Sequence, residues 1–586
     1  MSSVKYRAGV LVCLITAGCG APTAGDEAAS TPPSGSVRES PALTRTALRS
    51  GVPLTARAAA QLAAQGTARA GEFELFFTEP TDHTLPGGAA TASFEVGADG
   101  RPHYTLNGRP ATEAALATFA DTTRRELNAQ VNTTRVAVEA RIDALLRERG
   151  LTERVIARSG NAVRLRADRD ALEQVTAVLG AHVTVVDVPR PPDAAMTDAT
   201  NPSGHGALEA VRVRPFAHSY GLRGAGIGVW LEEGNQPKTT DPAIDASHLT
   251  ILTPEATHSH PTATTSALQQ TAPEAMVYYA HDPTGCYLPT EVTQPHNPPI
   301  YLGSHSWGYG ENTSNYSTCD AAWDDYVYTS RIAMFLAAGN GSNYVMSPGK
   351  AYNVNAVGGS DHVNGGMYSG SSYINPETGA MKPDFVAPAV GLYIRAPDTF
   401  CPGCDSVTGT SIATPIAAGF AADMLSGSAF FRNQPQALKA TMLAGATTNI
   451  EGAALYSSRD GAGQINFLHS YFYRSGSWWT GANNAFFDAS GYITTTSTMT
   501  AGDRMRVAIS WLTPGSYVAT NNRPSMEMTL EVRRGSFVRT STLTGETFQL
   551  VDFVAPETGS YTIRIRRTFN SGVGNVLLAL SVGKVV

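Results

Sequence analysis

Several features that mark common protein classes are missing from this sequence. Charged residues make up only 16% of it, the net charge is −7 and it contains no basic run, so nothing points to a nucleic-acid partner. The Gly-x-Ser-x-Gly pattern of lipases and esterases is absent. Only one C-x-x-C is present, and no histidine pair stands at zinc-finger spacing. We therefore predict neither a metal site nor a cofactor.

The length of the chain requires more than one hydrophobic core. Its 586 residues, of which 42% are hydrophobic, are typical of a globular protein divided into three or four units.

The first nineteen residues differ from the rest. Lys5 and Arg7 precede a short apolar segment, residues 10–15, which is too short to span a bilayer and is typical of an export signal. The following "ITAGC" resembles a bacterial lipoprotein box, which implies lipidation of Cys19; the alternative is plain secretion after cleavage at a nearby small residue. We therefore predict export from a bacterial cell. Residues 20–70, rich in small residues and proline, are predicted to be a flexible linker.

Cysteine is scarce, and its use agrees with export. Besides Cys13 and Cys19 the chain has only Cys286, Cys319, Cys401 and Cys404, an even number that indicates two disulfides. Pairing Cys286 with Cys319 and Cys401 with Cys404 is the simplest of the three possibilities.

Residues 71–195 are predicted to form a separate small α+β unit. A stretch with helical periodicity ends at Gly150, and it is followed by an alternating strand, "NAVRLRAD", a helix, "RDALEQVTAVLG", and a second strand, "VTVVDVP". The proline-rich sequence after them indicates an exposed linker.

The segment "GTSIATPIAAGFAADML" predicts a helix that begins close to Ser411. Pro415 cannot lie deep inside a helix, so the first turn should include the serine. Backbone N–H groups at a helix start can stabilise an oxyanion, although an isolated serine there is more often a simple helix cap.

The motif "GTSIATP" resembles the nucleophile motif of the subtilisin-like serine peptidases (subtilases), which makes Ser411 the candidate nucleophile. "FLAAGN" is similar to the strand that ends in that family's oxyanion-hole asparagine, here Asn340. "SHSWG" resembles its substrate-binding strand, here Ser306, Trp307 and Gly308. The resemblance covers about residues 205–475 and implies an α/β peptidase domain over residues 196–474, with a parallel sheet covered by helices on both faces.

The histidine motif is less regular. "HSHPTATTSAL" contains His258 and His260, and alignment on His260 retains Thr262 and the small residues of the family pattern, with Pro261 in place of glycine. A strand-like "APEAMVYYA" follows where the family has a strand. His260 is therefore the predicted catalytic histidine.

The catalytic acid is expected at the end of "GAGIGVWLEEG", where glutamate replaces the family's aspartate. Strand alternation favours Glu233, whereas the family's Asp-x-Gly turn maps onto Glu232 and Gly234. We predict Glu232, on the argument that a glycine-dependent turn constrains the chain more tightly than alternation at a strand end.

Together these residues imply a secreted or lipid-anchored serine endopeptidase that acts through an acyl-enzyme on protein or peptide substrates. Residues 71–195 stand where the family carries a propeptide, which implies an intramolecular inhibitor removed by a cut at about 190–205. Residues 475–586 contain alternating strands that predict a β-sandwich, similar to the jelly-roll domain of some bacterial subtilases, and no calcium site is inferred there. The alternatives are an inactive peptide-binding pseudopeptidase and a lipoprotein that acts only through its β-sandwich.

Overall fold

The structure is a computed structural model, and its description covers most of the chain after residue 46. The residues described are 47–54, 56–65, 70–77, 88–96, 102–159, 162–179, 183–188, 193–194, 207–281, 286, 288–310, 312–392, 407–446, 450, 455–482 and 484–586. The predicted export signal with Cys19, and the proposed pair Cys401 and Cys404, lie outside them. The described residues belong to one compact unit, Arg45–Val586.

Before residue 195, the described residues form three α-helices and eight strands. They are α1 (Ala56–Gln65), β1 (Gly71–Phe77), β2 (Ala90–Val96), β3 (Pro102–Leu106), β4 (Arg109–Ala111), α2 (Glu113–Glu148), β5 (Val155–Ser159), β6 (Ala162–Ala167), α3 (Arg169–Leu179), β7 (Val183–Asp187) and β8 (Asp193–Ala194). Thr112 caps the start of α2 by accepting a hydrogen bond from the Ala115 N–H, and Gly150 follows its end with φ of 64°.

This region does not pack as the single α+β unit that the sequence suggested. Strands β5, β6, β1 and β7 form an antiparallel sheet whose core includes buried residues of α1 and α3 and the last turns of α2. Strands β2, β3 and β4 instead join a sheet formed by the C-terminal part of the chain. The linker predicted over residues 20–70 is also shorter than expected, because Leu48, Val52, Leu54 and α1 are packed into the N-terminal core.

In the next part of the chain, the segments that the structure describes include five α-helices and eleven strands. They are α4 (Ala207–Ala210), β9 (Gly228–Glu232), β10 (Gln236–Pro237), β11 (Leu249–Ile251), β12 (Thr257–His258), α5 (Ser259–Thr271), β13 (Met276–Tyr279), β14 (Ile300–His305), β15 (Trp307–Gly308), α6 (Thr318–Ser330), β16 (Ala333–Ala337), β17 (Asn355–Asp361), β18 (Gly366–Met367), β19 (Phe385–Pro388), α7 (Thr410–Gly427) and α8 (Pro435–Gly445).

Its central sheet has the order β11, β13, β9, β14, β16, β17 and β18, with β19 also paired to β17. All pairs are parallel except that of β17 with β18. Both faces are covered: Val229 and Leu231 pack in the core that includes α5 and α7, whereas Trp230 packs in the core that includes α6. The predicted α/β architecture is confirmed, and it places the ends of the parallel strands along one edge of the sheet.

The C-terminal part is a β-sandwich. Its elements are β20 (Arg474–Gly481), β21 (Tyr492–Met499), β22 (Arg504–Trp511), α9 (Gly515–Asn521), β23 (Met526–Arg534), β24 (Phe537–Ser541), β25 (Phe548–Val554), β26 (Gly559–Asn570) and β27 (Val576–Val585). One sheet has the order β25, β22, β27, β20, β2, β3 and β4, and the other β21, β26, β23 and β24. Alternate residues of both sheets, such as Val507 and Ile563, meet in one core.

Among the described helices, none combines the length and apolar character needed to cross a membrane.

A buried ionic cluster joins the sandwich to the central sheet. Asp384 binds the ammonium groups of Lys382 and Lys439 at 2.8 and 2.7 Å. Glu546, from the loop between β24 and β25, accepts a hydrogen bond from the Met381 N–H beside it. Burial raises the pKa of Glu546 to about 8, although that hydrogen bond and the two lysines oppose the shift.

This pKa makes stability depend on pH. The folded state holds a proton on Glu546 up to about pH 8, whereas the unfolded chain loses it near its ordinary pKa of 4.5. The contribution to the free energy of unfolding is therefore complete below about pH 4.5 and is lost as the pH rises through 8, with an upper bound of roughly 5 kcal/mol. Urea unfolding at pH 5 and pH 9 should show this loss in the wild type and a smaller loss in Glu546→Gln. The exposed Glu557, changed to Gln, is the matched control; equal pH dependence in all three proteins would contradict the assignment.

Candidate active site

Three neighbouring parallel strands deliver polar residues to the same edge of the central sheet. Strand β9 runs into Glu232 and Glu233, β14 runs into His305 and Ser306, and β16 is followed by Asn340. The crevice at the carboxyl ends of parallel strands is the usual ligand site of open α/β sheets.

Glu233 and His260 are in direct contact. The carboxylate Oε2 of Glu233 lies 2.9 Å from Nδ1 of His260, and both side chains are buried. His260 is the second residue of α5. His258 caps the first turn of this helix, because Nδ1 of His258 accepts a hydrogen bond from the His260 N–H at 3.2 Å. The choice of His260 over the exposed His258 agrees with this contact. A carboxylate on Nδ1 can fix the imidazole tautomer and stabilise the imidazolium.

The expectation that Glu232 would lie against the histidine is wrong in this structure. Val229, Leu231 and then Glu233 follow the face of β9 that packs against α5, whereas Trp230 and Glu232 follow the other face. Gly234 has no positive φ, and a Cβ there would meet nothing within 4 Å. The turn therefore makes no demand for glycine, and strand alternation decides which carboxylate reaches His260.

Glu232 lies next to a second histidine. Its Oε2 is 3.5 Å from Nδ1 of His305, on the neighbouring strand β14. Trp230 and Trp323 contact the His305 ring edge-on, with centroids 4.5 and 4.6 Å away. Burial holds the pKa of His305 well below its usual value, so its imidazole is neutral. We did not predict this pair, although a histidine two residues after the apolar run "IYLG" of a strand-like segment was a signal for it.

Ser411 is fully buried in the first turn of α7, as predicted. The residue before the helix, Gly409, has φ of 150°, a conformation that a side chain would strain, which accounts for a glycine at the start of the motif. Pro415 is the sixth residue of α7 and lacks the N–H that would bond the Ser411 carbonyl, and that carbonyl accepts a hydrogen bond from the Ser306 hydroxyl instead.

The Ser411 hydroxyl is held by the strand segment that follows β14. It donates to the Ser306 carbonyl at 3.0 Å, and the Ser306 hydroxyl donates to the Ser411 carbonyl at 2.8 Å. Nε2 of His260 is buried and has no hydrogen-bond partner within the described part of the chain. The serine must therefore rotate away from Ser306 before it can transfer a proton to a base.

Asn340 is fixed beside the start of α7. Its Oδ1 accepts hydrogen bonds from the Thr410 backbone N–H at 3.0 Å and from the Thr410 hydroxyl at 3.1 Å. These contacts use the amide oxygen, and the amide nitrogen is the atom of this side chain that could act as a donor to an oxyanion. Thr410 is a site residue that we did not single out from the sequence, although it belongs to the "GTS" motif.

The histidine and serine helices approach each other closely. A Cβ at Gly419 of α7 would lie 2.6 Å from the Thr271 Cβ of α5, so only glycine fits at this crossing. Small residues of both helices, including Ala263 and Ala417, share one core. This packing fixes the C-terminal end of α5 against the middle of α7.

A comparison with known protein families matches part of the chain. Residues 254–463, about a third of the chain, match the model of the subtilase family. The matched range includes His260, Asn340 and Ser411 and begins after the two glutamates. Among curated proteins, none matches the chain significantly.

Solved structures similar to part of this chain include two maturation proteases. The prenylagaramide maturation protease PagA is 22% identical, with 43% of this chain and 96% of that one covered and a TM-score of 0.36. The patellamide maturation protease PatA is 21% identical, with 42% and 94% covered and a TM-score of 0.34.

The predicted substrate-binding strand is paired with another segment of the same chain. Trp307 and Gly308 of β15 pair antiparallel with Ala194 and Asp193 of β8, which lies within the proline-rich segment that the sequence predicted to be an exposed linker. Ser306, the third residue predicted there, contacts Ser411 as described above.

A disulfide joins Cys286 and Cys319, with Cα atoms 5.0 Å apart, as predicted. Within the described residues, no group of three His, Cys, Asp or Glu side chains is arranged to hold a metal ion.

Proposed function

We propose that the protein is an exported serine endopeptidase whose catalytic residues are Glu233, His260 and Ser411. The contact of Glu233 with Nδ1 of His260 carries the proposal, because it leaves Nε2 as the atom that can accept a proton from a nucleophile. The match of residues 254–463 to the subtilase family supports the reaction class.

In the proposed reaction, Ser411 leaves the Ser306 carbonyl, transfers its proton to Nε2 of His260 and attacks the substrate carbonyl. Asn340 and the Ser411 backbone N–H then donate to the oxyanion, and His260 returns the proton to the leaving amine. Water hydrolyses the resulting acyl-enzyme in a second round of the same proton transfers.

A fluorophosphonate tests this proposal directly. The folded wild-type protein, with its linker cut, should form a covalent adduct that maps by mass spectrometry to the peptide containing Ser411. Absence of any adduct from a cut, folded protein that also fails to hydrolyse peptides would reject the proposal.

Asn340→Ala should lower kcat by about 10²–10³-fold, which is the effect of removing one oxyanion-hole donor from subtilisin. KM should change little, because the donor acts mainly on the charge of the transition state. Steady-state kinetics on a chromogenic peptide measure both values. Because Asn340 also accepts from Thr410, Thr410→Val is the control for lost packing of the asparagine. A loss smaller than about tenfold in Asn340→Ala would mean that another group holds the oxyanion.

We also propose that the N-terminal region keeps the enzyme inactive until the linker is cut. Strand β8 pairs with β15, where a substrate chain would be expected to add as a strand. The chain continues from β8 towards α4, so a cut between residues 195 and 206 would leave β8 on the N-terminal fragment and allow it to move away from β15.

Export remains a proposal based on the residues 1–19 and on cysteine use. The Cys286–Cys319 disulfide supports an oxidising compartment. Lipidation of Cys19 and plain secretion are both compatible with it.

An inactive peptide-binding protein is the second candidate. The observation in its favour is that the Ser411 hydroxyl donates to Ser306 rather than to Nε2 of His260. This candidate predicts that the cut protein binds peptides without forming a fluorophosphonate adduct.

A further inference from the structure

The N-terminal region does more than occupy the substrate strand, because it also completes the C-terminal sandwich. Strand β2 pairs antiparallel with β20 over five residues, from Ala90 opposite Thr480 to Phe94 opposite Gly476. The other side of β20 pairs with β27. Without β2, strand β20 would be an exposed edge with a row of unpaired backbone groups.

Aromatic side chains attach strands β2 and β3 (the β2 hairpin), together with the first turns of α2, to the rest of the molecule. Phe94 lies with its ring centroid 4.7 Å from that of Phe430, in an edge-to-face arrangement. The Tyr104 hydroxyl is 3.1 Å from the Ser428 hydroxyl. Phe119, at the start of α2, stacks on Trp478 of β20 with centroids 6.2 Å apart. Phe94 and Tyr104 belong to the largest buried core, which also includes α5 and α7.

Helix α2 makes a third set of contacts, with the C-terminal end of α6. The buried guanidinium of Arg124 donates to the carbonyls of Ser330 and Arg331, the latter at 3.0 Å. Such carbonyls at a helix end need donors from outside the helix. The Tyr301 hydroxyl donates to Asp121, on the same face of α2. Removal of α2 would leave these buried groups without partners, which is strongly unfavourable.

We infer that the N-terminal region stays bound after the linker is cut, as a permanent strand donor to the β-sandwich, so that the mature protein is a complex of two chains. The inference rests on the proposed function only for the source of the cut. The contacts of the N-terminal region with the sandwich and with α6 do not involve β8, which is the part that pairs with the substrate-binding strand. Cleavage therefore exposes that strand and leaves the other contacts of the N-terminal region in place.

The disulfide does not hold the two chains together, because Cys286 and Cys319 both follow the linker. The association is therefore expected to be non-covalent and to depend on buried apolar surface and paired strand edges.

The test introduces the recognition sequence of a site-specific protease between residues 195 and 206 of the full chain carrying Ser411→Ala. After cutting, size-exclusion chromatography without denaturant is followed by a reducing denaturing gel. We expect both fragments in one peak at the elution volume of the uncut protein, and their separation only in urea. Elution of the C-terminal fragment apart from the N-terminal one, whether folded or aggregated, would overturn the inference.

A matched pair of variants locates the interaction. Phe94→Ala should lower the urea concentration at which the cut fragments separate, because it removes the ring packed on Phe430. Val136→Ala, which truncates a side chain on α2 that is 66% exposed, should leave that concentration unchanged. Equal behaviour of both variants would contradict the role of the β2 hairpin.

The experiment distinguishes failure of the proposed peptidase activity from failure of the two-chain inference. If the wild type, cut at the same engineered site, neither hydrolyses peptides nor reacts with a fluorophosphonate, the proposed peptidase activity is rejected. The engineered cut still reports whether the two fragments stay together.

Discussion

Replacement of Ser411 by alanine should abolish both peptide hydrolysis and the fluorophosphonate adduct. The hydroxyl is the only group removed, and Ser411 is fully buried at the start of α7, so the backbone should be kept. Residual hydrolysis should be at least about 10⁴-fold below the wild type, because nucleophile and base act as a unit. Both proteins are first cut in the linker by the same added protease, and their activities are then compared. This treatment keeps the pairing of β8 with β15 equal in the two samples.

The same variant should also keep its linker intact when it is expressed in an exporting host. The wild type is expected to be cut between residues 190 and 205, and intact-mass measurement of both purified proteins shows the difference. Ser306→Ala is the control, because it removes the hydroxyl that donates to the Ser411 carbonyl but leaves the Ser306 carbonyl in place. A Ser411→Ala protein that is cut and hydrolyses peptides like the wild type would mean that the nucleophile is elsewhere.

Much of the site followed from short-range rules. The small residues and Pro415 of the "GTSIATP" segment predicted a helix start at Ser411, and α7 begins at Thr410. Alternating and helical patterns also predicted α3, β6 and β7 close to their observed bounds. Such signals lie within one element, so the residues near each other in sequence suffice to determine them.

The choice between the two glutamates failed for a local reason. It assumed that Gly234 was required by a strained turn, yet its φ is not positive and no neighbour crowds it. The alternation of Val229, Trp230 and Leu231 between two cores was the better guide, and it extends one residue beyond the end of β9.

The sheet that the β2 hairpin joins could not be predicted from the sequence. The alternating "ATASFEV" indicates a strand, but nothing within it identifies the partner, which is β20, far later in the chain. An antiparallel pairing is determined by which edge is left open after the other strands have assembled. The edge of β20 depends on the whole sandwich, so the division of residues 71–195 between two sheets became visible only in three dimensions.

The largest remaining effect is expected at Glu233. Glu233→Gln keeps the shape of the side chain but replaces the carboxylate oxygen, 2.9 Å from Nδ1 of His260, with an amide that can present a donor. That favours the imidazole tautomer with its proton on Nε2, which cannot accept the proton of Ser411. A comparable Asp→Asn change in a serine protease costs about 10⁴-fold, so we expect a loss of several hundredfold or more in kcat.

Glu232→Gln is the matched control, because it makes the same change one residue earlier, against His305 instead of His260. It should stay within about tenfold of the wild type in kcat, since its neighbour is not the proposed base. Thermal unfolding of both variants separates catalysis from stability, and Glu233→Asp, which keeps the charge but shortens the reach, should retain more activity than Glu233→Gln. If Glu232→Gln is instead the crippling change while both proteins unfold at similar temperatures, the acid that serves His260 is Glu232 and its contact with Glu233 is not the catalytic one.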